Sequence, residues 1–318
     1  MNPHHVAIGV NGKRSLVPAI EVHGRHVITT GSWIKTAMVH DEGWLDRPVE
    51  DPQSYIDRLT NHHGQAFAAD IFTFAQRPPD VTPHYAFPMQ WDNVAAIRLD
   101  DPTAWWEALP QETRKNVRRS AKRGVSVGTT TLNDDLIRGI VSINNESPMR
   151  QGKPFAHYGK DFERVKQDYS SFADRSEFVV AHFQGELIGF VQLVYMGTLA
   201  SILGILMKAS HQDKRPANAL LERAVTHCAA AGISHLVYGK YSYGNKRTDN
   251  PLTEFKRRNG FEKIDIPRYY VPLTAKGRIS IALQLHRGLL ELLPGSVISP
   301  LLAARRIWYR STAIRRPV

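Results

Sequence analysis

Three runs of apolar residues between positions 178 and 207 form the clearest pattern in the chain. They cover 178–183, 187–195 and 199–207, and the short turns Gln184-Gly185 and Met196-Gly197 separate them. Apolar runs of this length, joined by two-residue turns, are typical of antiparallel strands. The pattern therefore predicts a three-stranded meander.

Helical spacing replaces the strand pattern after the meander. Pro216 begins a helix whose apolar residues recur every three or four positions as far as Cys228. A short strand at 234–238, a helix at 252–258 and a strand at 261–270 follow. The predicted order of elements is thus β-β-β-α-β-α-β.

The segments on either side of this core pattern differ from it. Residues 1–100 predict strands with irregular connections and one helix. Among residues 275–318, eight basic residues oppose one acidic residue, and leucines supply an apolar face, which is typical of a basic amphipathic tail. We therefore expect an N-terminal α+β region at 1–100, a central domain at 101–274 and a tail at 275–318.

A predicted helix at 112–123 carries six basic residues and one acidic residue. Residues four apart share a helix face, and the two resulting rows are Arg114, Arg118 and Lys122, and Lys115, Arg119 and Arg123. Such a row can bind the phosphates of tRNA, a lipid or a nucleotide, although a charge run is also common on a solvated face. We take the first row as the candidate anion-binding site.

The composition of the 318 residues favours an anionic partner. Lysine and arginine exceed aspartate and glutamate by 41 to 30, which gives a net charge of +11 and attracts phosphate esters, nucleic acid or an anionic membrane surface. The single cysteine excludes an internal disulfide and a cysteine-based zinc site within the chain, and we expect no metal. The chain has no signal-peptide pattern and no run of 18 apolar residues. We expect a cytoplasmic protein whose tail can contact the inner membrane face.

Three segments, taken in order, resemble those of one superfamily. They are the basic helix and following strand at 113–125, the central helix at 216–232, and the sequence Phe-Lys-Arg-Arg-Asn-Gly-Phe at 255–261. With the order of elements, they make residues 101–274 similar to the GNAT (N-acetyltransferase) superfamily and to its Fem-type aminoacyltransferase branch. The resemblance implies an α/β (α+β) fold in which helices flank a mixed, mostly antiparallel sheet. It leaves open whether residues 1–100 are a degenerate second copy, on the acceptor side.

The resemblance also implies an acyltransferase that joins an acyl group to a small-molecule or peptide amine by direct attack. The donor lies at the start of the central helix in this fold, and the matching candidates are Lys214, Arg215, Ala217, Asn218 and Ala219. The usual loop contains glycines and cradles the coenzyme A pyrophosphate with backbone N–H groups, whereas this chain has no glycine there and Pro216 removes one donor. Acetyl-CoA or another acyl-CoA is the first candidate donor, and an aminoacyl-tRNA is the alternative.

The loop after the predicted strand at 234–238 supplies candidate catalytic residues. Its tyrosines and polar residues are Tyr241, Tyr243, Asn245 and Lys246. A tyrosine here can protonate the leaving group or hold the tetrahedral intermediate, and the polar pair can bind an anion. His211 and Glu254 are candidate bases for the attacking amine. A second class of function stays open, a non-catalytic GNAT-like protein that binds RNA or an anionic membrane.

Overall fold

The computed structural model describes residues 4–10, 13–61, 67–150, 152–242 and 251–287. The predicted site residues Tyr243, Asn245 and Lys246, and the predicted tail from residue 288 onward, lie outside the described residues. No helix in the ranges given above is long and apolar enough to cross a membrane.

The described residues form strands and helices in the predicted order. The strands are β1 (His4–Val10), β2 (Lys13–Val22), β3 (Arg25–Thr30), β4 (Thr36–Val39), β5 (Ile71–Ala75), β6 (Met89–Arg98), β7 (Val125–Thr130), β8 (Met149–Arg150), β9 (Lys153–Pro154), β10 (Ser176–Phe183), β11 (Glu186–Met196), β12 (Leu199–Met207), β13 (His235–Val237) and β14 (Glu262–Pro272). The helices are α1 (Pro52–Asn61), α2 (Pro102–Ala108), α3 (Gln111–Lys122), α4 (Asp134–Asn144), α5 (Phe162–Tyr169), α6 (Pro216–Ala230), α7 (Pro251–Arg258) and α8 (Ala275–Ala282). The predicted meander corresponds to β10–β12, and the two predicted helices that follow it correspond to α6 and α7.

One large sheet runs through the described part of the chain. Its strand order is β1-β2-β3-β4-β5-β14-β6-β13-β12-β11-β10-β7, while β8 and β9 form a separate hairpin. Within the large sheet, β4 pairs parallel with β5 and β12 pairs parallel with β13, and the other neighbours are antiparallel. The expected mixed, mostly antiparallel α/β sheet is confirmed.

The two halves of this sheet have the same arrangement. Each half has four antiparallel strands followed by a parallel neighbour, and a helix connects the parallel pair, α1 in the first half and α6 in the second. The strands that follow the parallel pairs are exchanged, because β14 lies beside β5 and β6 lies beside β13. Strand β6, which falls in the predicted N-terminal region, therefore completes the sheet next to the candidate site.

Helix α6 packs against the strands of the predicted meander. Its apolar stripe is buried at Leu220, Leu221, Ala224, Val225 and Cys228. Burial raises the pKa of the Cys228 thiol to about 12, so this cysteine is a small core side chain with no nucleophilic character at neutral pH. The packing fixes the N-terminus of α6 close to the end of β12.

Candidate active site

Strands β12 and β13 separate shortly after they pair. Their parallel pairing covers Leu199–Ser201 of β12 and His235–Val237 of β13, whereas β12 continues to Met207. Strand β12 also contains a bulge, since Leu193 pairs with Ile202 and Gln192 with Gly204, which leaves one extra residue between them. The strand is buried as far as Ile202 and partly exposed beyond it. A gap therefore opens along this edge of β12.

A cleft of about 720 Å³ lies at the end of this gap. Three helices form its walls, and their lining residues include Glu112, Thr113 and Asn116 of α3, Ala217 and Asn218 of α6, and Phe255, Arg257 and Arg258 of α7. Two hydrogen bonds join the walls. The Thr113 hydroxyl donates to the carbonyl of Arg258 at 2.9 Å, and the Asn218 amide donates to the Asn259 side chain at 3.0 Å. The cleft is thus held open by contacts between its own walls.

The turn that begins α6 lacks the form of a glycine-rich phosphate loop. Arg215 occupies the left-handed region at φ 58° and lines the cleft, and Pro216 is the first residue of the helix. The N-cap makes no side-chain hydrogen bond, so the N–H groups of Ala217 and Asn218 remain to bind an anion with the help of the helix dipole. Proline contributes no N–H. The residues therefore fit the successive backbone donors of a coenzyme A pyrophosphate cradle poorly and offer the charged Arg215 instead.

Lys256 of α7 is a functional candidate that the sequence reasoning missed. Its side chain is buried, its amine donates to the carbonyl of Lys240 at 2.6 Å, and the amine lies 4.7 Å from the ring centre of Tyr238. Both partners belong to the segment that follows β13, and the neighbours of Lys256 in α7, Phe255 and Arg257, line the cleft, whereas Lys256 itself does not. Burial lowers the pKa of Lys256 to about 8. The sequence signal that could have identified Lys256 is its charged side chain at a position of the helix that faces the core.

Strand β6 holds the segment that contacts Lys256. The carboxylate of Asp92 lies 2.8 Å from the amine of Lys240 and 3.2 Å from Nε of Arg268, and the side-chain oxygen of Asn93 accepts from the N–H of Ser242 at 2.8 Å. Burial alone would raise the pKa of Asp92, but the hydrogen bond from Lys240, with further help from its charge, lowers it below its usual value. The exchanged strand thus fixes residues 240–242.

The predicted donor-binding residues fall into two groups. Arg215, Ala217 and Asn218 line the cleft. Lys214 instead places its amine 4.5 Å from the ring centre of Phe183, and Ala219 is buried in the core. Three of the five residues are therefore brought together at the cleft.

The predicted catalytic residues are less well supported. Tyr241 packs against the core beside α6, and its carbonyl accepts from the Thr253 hydroxyl at 3.1 Å. His211 contacts the Ser210 hydroxyl at 3.0 Å and the Phe183 ring. Hydrogen bonds from Arg257 and Arg258 lower the pKa of Glu254 to about 2, so this carboxylate is a poor base near neutral pH. The candidate roles of His211 and Glu254 remain predictions without a contact that places either one at the cleft.

The two basic rows of α3 face in different directions. In the row selected from the sequence, Arg118 lies over the Trp106 ring at 5.9 Å and Lys122 is exposed, and none of Arg114, Arg118 and Lys122 lines the cleft. The parallel row does not line the cleft either, but two of its residues lie close to acidic side chains. Arg119 lies 3.5 Å from the carboxylate of Glu112, and Arg123 lies 3.7 Å from Asp213 in the turn before α6. Periodicity identified the two rows but not the contacts that each row makes.

Comparison with known proteins supports this assignment of the fold. Residues 111–257 match the family model described as an acetyltransferase (GNAT) domain. This segment is a GNAT domain. None of the curated proteins matches the chain in sequence. The matched segment contains α3, α6 and α7 up to Arg257, and these three helices form the walls of the cleft.

Solved structures extend the likeness beyond the GNAT domain. FemX is similar over 84% of this chain and 87% of its own, with a TM-score of 0.56 and 10% identity. L-PGS from Bacillus licheniformis is similar over 82% of this chain and 85% of its own, with a TM-score of 0.52 and 11% identity. A third similar structure is the C-terminal domain of a protein assigned as a lysylphosphatidylglycerol synthetase from Agrobacterium fabrum. It is similar over 84% of this chain and 86% of its own, with a TM-score of 0.50 and 15% identity. These likenesses show that the chain shares its fold with those proteins.

Proposed function

We propose that the protein transfers an acyl group from a donor held between α3, α6 and α7 to an amine acceptor. The observation that carries the proposal is the buried Lys256 amine, with a pKa of about 8, on the helix α7 that forms one wall of the cleft. An amine with this pKa exchanges a proton near neutral pH, which is what acyl transfer to a nitrogen nucleophile requires.

In this proposal the edge of β12 and Lys256 have different roles in the reaction. The edge of β12 beyond Ser201, which β13 leaves unpaired in the described residues, presents backbone N–H groups that can bind the oxyanion of the tetrahedral intermediate. A bond forms between the acceptor nitrogen and the acyl carbon, and the bond from that carbon to the leaving oxygen or sulfur breaks. Lys256 gives its proton to the leaving group and recovers one from the acceptor nitrogen.

The structure favours an aminoacyl-tRNA as the donor over an acyl-CoA, which reverses the order expected from the sequence. The turn at Arg215 and Pro216 is a poor pyrophosphate cradle. Arg215, Arg257 and Arg258 line the cleft with side-chain charge, and Arg119 lies 3.5 Å from Glu112, which also lines it. Side-chain contacts of this kind suit a nucleic-acid backbone. The fold shared with FemX and with a lysylphosphatidylglycerol synthetase domain agrees with aminoacyl transfer.

An acyl-CoA is the second candidate donor. The free N–H groups of Ala217 and Asn218 at the start of α6 are the observation in its favour, because a helix N-terminus attracts phosphate. The acceptor in either case is a small-molecule or peptide amine. The third candidate, a non-catalytic protein that binds RNA or an anionic membrane, rests on the charge of residues 275–318.

A binding experiment separates the two donors. The probes are a fluorescent tRNA acceptor minihelix that carries a 3′-aminoacyl amide, the same minihelix uncharged, and acetyl-CoA. We expect saturable binding of the aminoacyl minihelix that is tighter than that of the uncharged one, and no stabilisation by 1 mM acetyl-CoA. A ligand at 100 times its Kd would add about 2.7 kcal/mol to the free energy of unfolding. Stabilisation by acetyl-CoA alone would make acyl-CoA the donor, and binding of neither probe would overturn the transferase proposal.

A further inference from the structure

Exposed apolar side chains form a surface at α8, near the end of the described residues. Trp33, Ile279 and Leu283 expose 63%, 59% and 61% of their surface. Ile279 and Leu283 are four residues apart and share a face of α8 and its end with Lys276. The amine of Lys276 lies 5.6 Å from the ring centre of Trp33 and donates to its carbonyl. These four residues form one stripe, which we call the Trp33 patch.

Helix α8 is turned so that Ile279, and Leu283 just after its end, face outward, whereas Ile281 is half buried. The residues that it buries are Gly277 and Ser280, and a Cβ at position 277 would collide with the carbonyl of Asp70. The helix therefore packs backbone against backbone on the start of β5. Ile279 and Leu283 therefore stand at the surface beside Lys276 and are open to an apolar partner.

Contacts of Asp70 tie together the two chain segments that carry the patch. The Asp70 carboxylate accepts from the N–H of Lys35 at 2.9 Å and from the Thr274 hydroxyl at 3.0 Å, and it lies 3.2 Å from the amine of Lys276. It thus joins the turn that carries Trp33 to the first residues of α8. Gly31, at φ 94°, sets that turn, and a side chain there would collide with the carbonyl of Ile34.

The charge around the patch decides which partner fits. Lys35, Lys276 and Arg278 are exposed at its border, while Asp70 is buried and neutralised by its contacts. The sequence from 275 to 318, which begins with α8, contains eight basic residues and one acidic residue. Tryptophan and aliphatic side chains bordered by lysine and arginine suit the interface of an anionic membrane, where the rings sit among head groups and the basic residues meet the lipid phosphates.

We propose that the Trp33 patch is a membrane-contact surface that docks the protein on a bilayer containing anionic lipid. The patch enters the interfacial region with Trp33, Ile279 and Leu283, and the basic border binds the head groups. This docking does not depend on the proposed transfer reaction, because it uses no residue of the cleft. It would bring the cleft close to acceptors that are themselves held at a membrane.

Vesicle co-sedimentation of the full chain tests the proposal. We compare vesicles of phosphatidylcholine with vesicles that contain 30% phosphatidylglycerol, using the unaltered protein and the triple variant Trp33→Ser, Ile279→Ser, Leu283→Ser. The matched control is Leu16→Ser with Met149→Ser, which removes two exposed apolar side chains elsewhere. We expect binding to the anionic vesicles only, a loss of at least threefold in the bound fraction for the triple variant, and no change for the control.

Quenching of tryptophan fluorescence tests whether Trp33 itself contacts the membrane. Brominated lipids quench tryptophan fluorescence at the interface, and we expect quenching of the unaltered protein that is reduced in Trp33→Phe. Equal vesicle binding by the triple variant and the unaltered protein, or binding by neither, would overturn the proposal. A dimer that the triple variant abolishes would also overturn it, since the partner of the patch would then be a second copy. Donor binding by the minihelix is measured in parallel without vesicles and stands or falls separately.

Discussion

Lys256 has an environment that is costly for a lysine. Its side chain is 1% exposed, and burial lowers its pKa to about 8. A lysine that served stability alone would be better placed at the surface, where its amine stays solvated. Residues that oppose stability in this way are often retained for function.

Replacing Lys256 by Met should therefore have opposite effects on activity and on stability. We expect turnover to fall by about 100-fold or more, in keeping with loss of a proton-transfer group, while the free energy of unfolding at pH 7 rises. Lys263→Met is the control, because Lys263 is a half-exposed residue paired with Asp265. A variant that loses stability and keeps its turnover would show that Lys256 is a structural residue.

The pH dependence of stability follows from the same pKa. The unfolded chain holds the Lys256 proton up to its ordinary pKa of 10.5, whereas the folded chain releases it near pH 8. Between these values the unfolded state binds more protons, so the stability of the unaltered protein rises with pH relative to that of Lys256→Met. Denaturant unfolding at pH 7, 9 and 10.5 should show the advantage of the variant shrinking. A constant difference would contradict the lowered pKa.

At the scale of elements, α3 shows what a sequence pattern can predict and what it cannot. The spacing of its basic residues fixes which of them share a face, and both rows were recognised. The contacts of each row depend on how α3 docks against α6 and α7, as in those of Thr113 with Arg258 and of Arg123 with Asp213. Those contacts join residues far apart in sequence, so local periodicity cannot provide them. The meander, by contrast, was predictable because its strands and turns are contiguous.

The two rows give matched variants of equal charge. We expect Arg119→Gln with Arg123→Gln to weaken binding of the aminoacyl minihelix about tenfold at 0.1 M salt and to lower the slope of log affinity against log salt by about 1.5, because two phosphate contacts are lost. Arg114→Gln with Arg118→Gln should have a smaller effect on both. Anisotropy titrations at four salt concentrations measure the difference. An equal loss of affinity for both pairs would show that Arg119 and Arg123 act only through general electrostatic attraction.

Strand β6 provides the second prediction at this scale. Asp92→Asn should lower kcat about tenfold, because the segment 240–242 then holds the Lys256 amine less firmly, while donor affinity stays unchanged. The pH profile of kcat should shift as well, since the environment of the amine changes. Asp265→Asn on β14 is the matched control, an exposed carboxylate paired with Lys263. A change confined to donor affinity would show that Asp92 helps to bind the donor and does not position the Lys256 amine.

The whole molecule is organised by the exchange of β6 and β14. The sequence predicts strands at these places, but their crossing pairs residues far apart in the chain, as in the pairing of Glu262 with Ala96. Such pairing leaves no periodic signal, and this is why the continuous sheet could not be predicted from the sequence, whereas the division at residue 100 stays a prediction. The same exchange brings Asp92 to the GNAT domain.

We expect the exchange to make the two halves fold as one unit. A fragment of residues 101–318 lacks β6, which leaves β13 and β14 without their shared neighbour, and it should show no cooperative thermal transition by circular dichroism. Addition of residues 1–100 should restore the transition. A fragment that unfolds cooperatively at the midpoint of the full chain would instead support an independent central domain at 101–274.

The central claim is that Lys256 serves acyl transfer at the gap between β12 and β13. The most direct measurement follows the release of labelled acyl groups from a mixture of aminoacyl-tRNAs, and separately from acetyl-CoA, in the presence of a simple primary amine. We predict amine-dependent release from an aminoacyl-tRNA by the unaltered protein and a rate at least 100-fold lower for Lys256→Met. Equal rates for the two proteins, or no release from either donor, would contradict the claim.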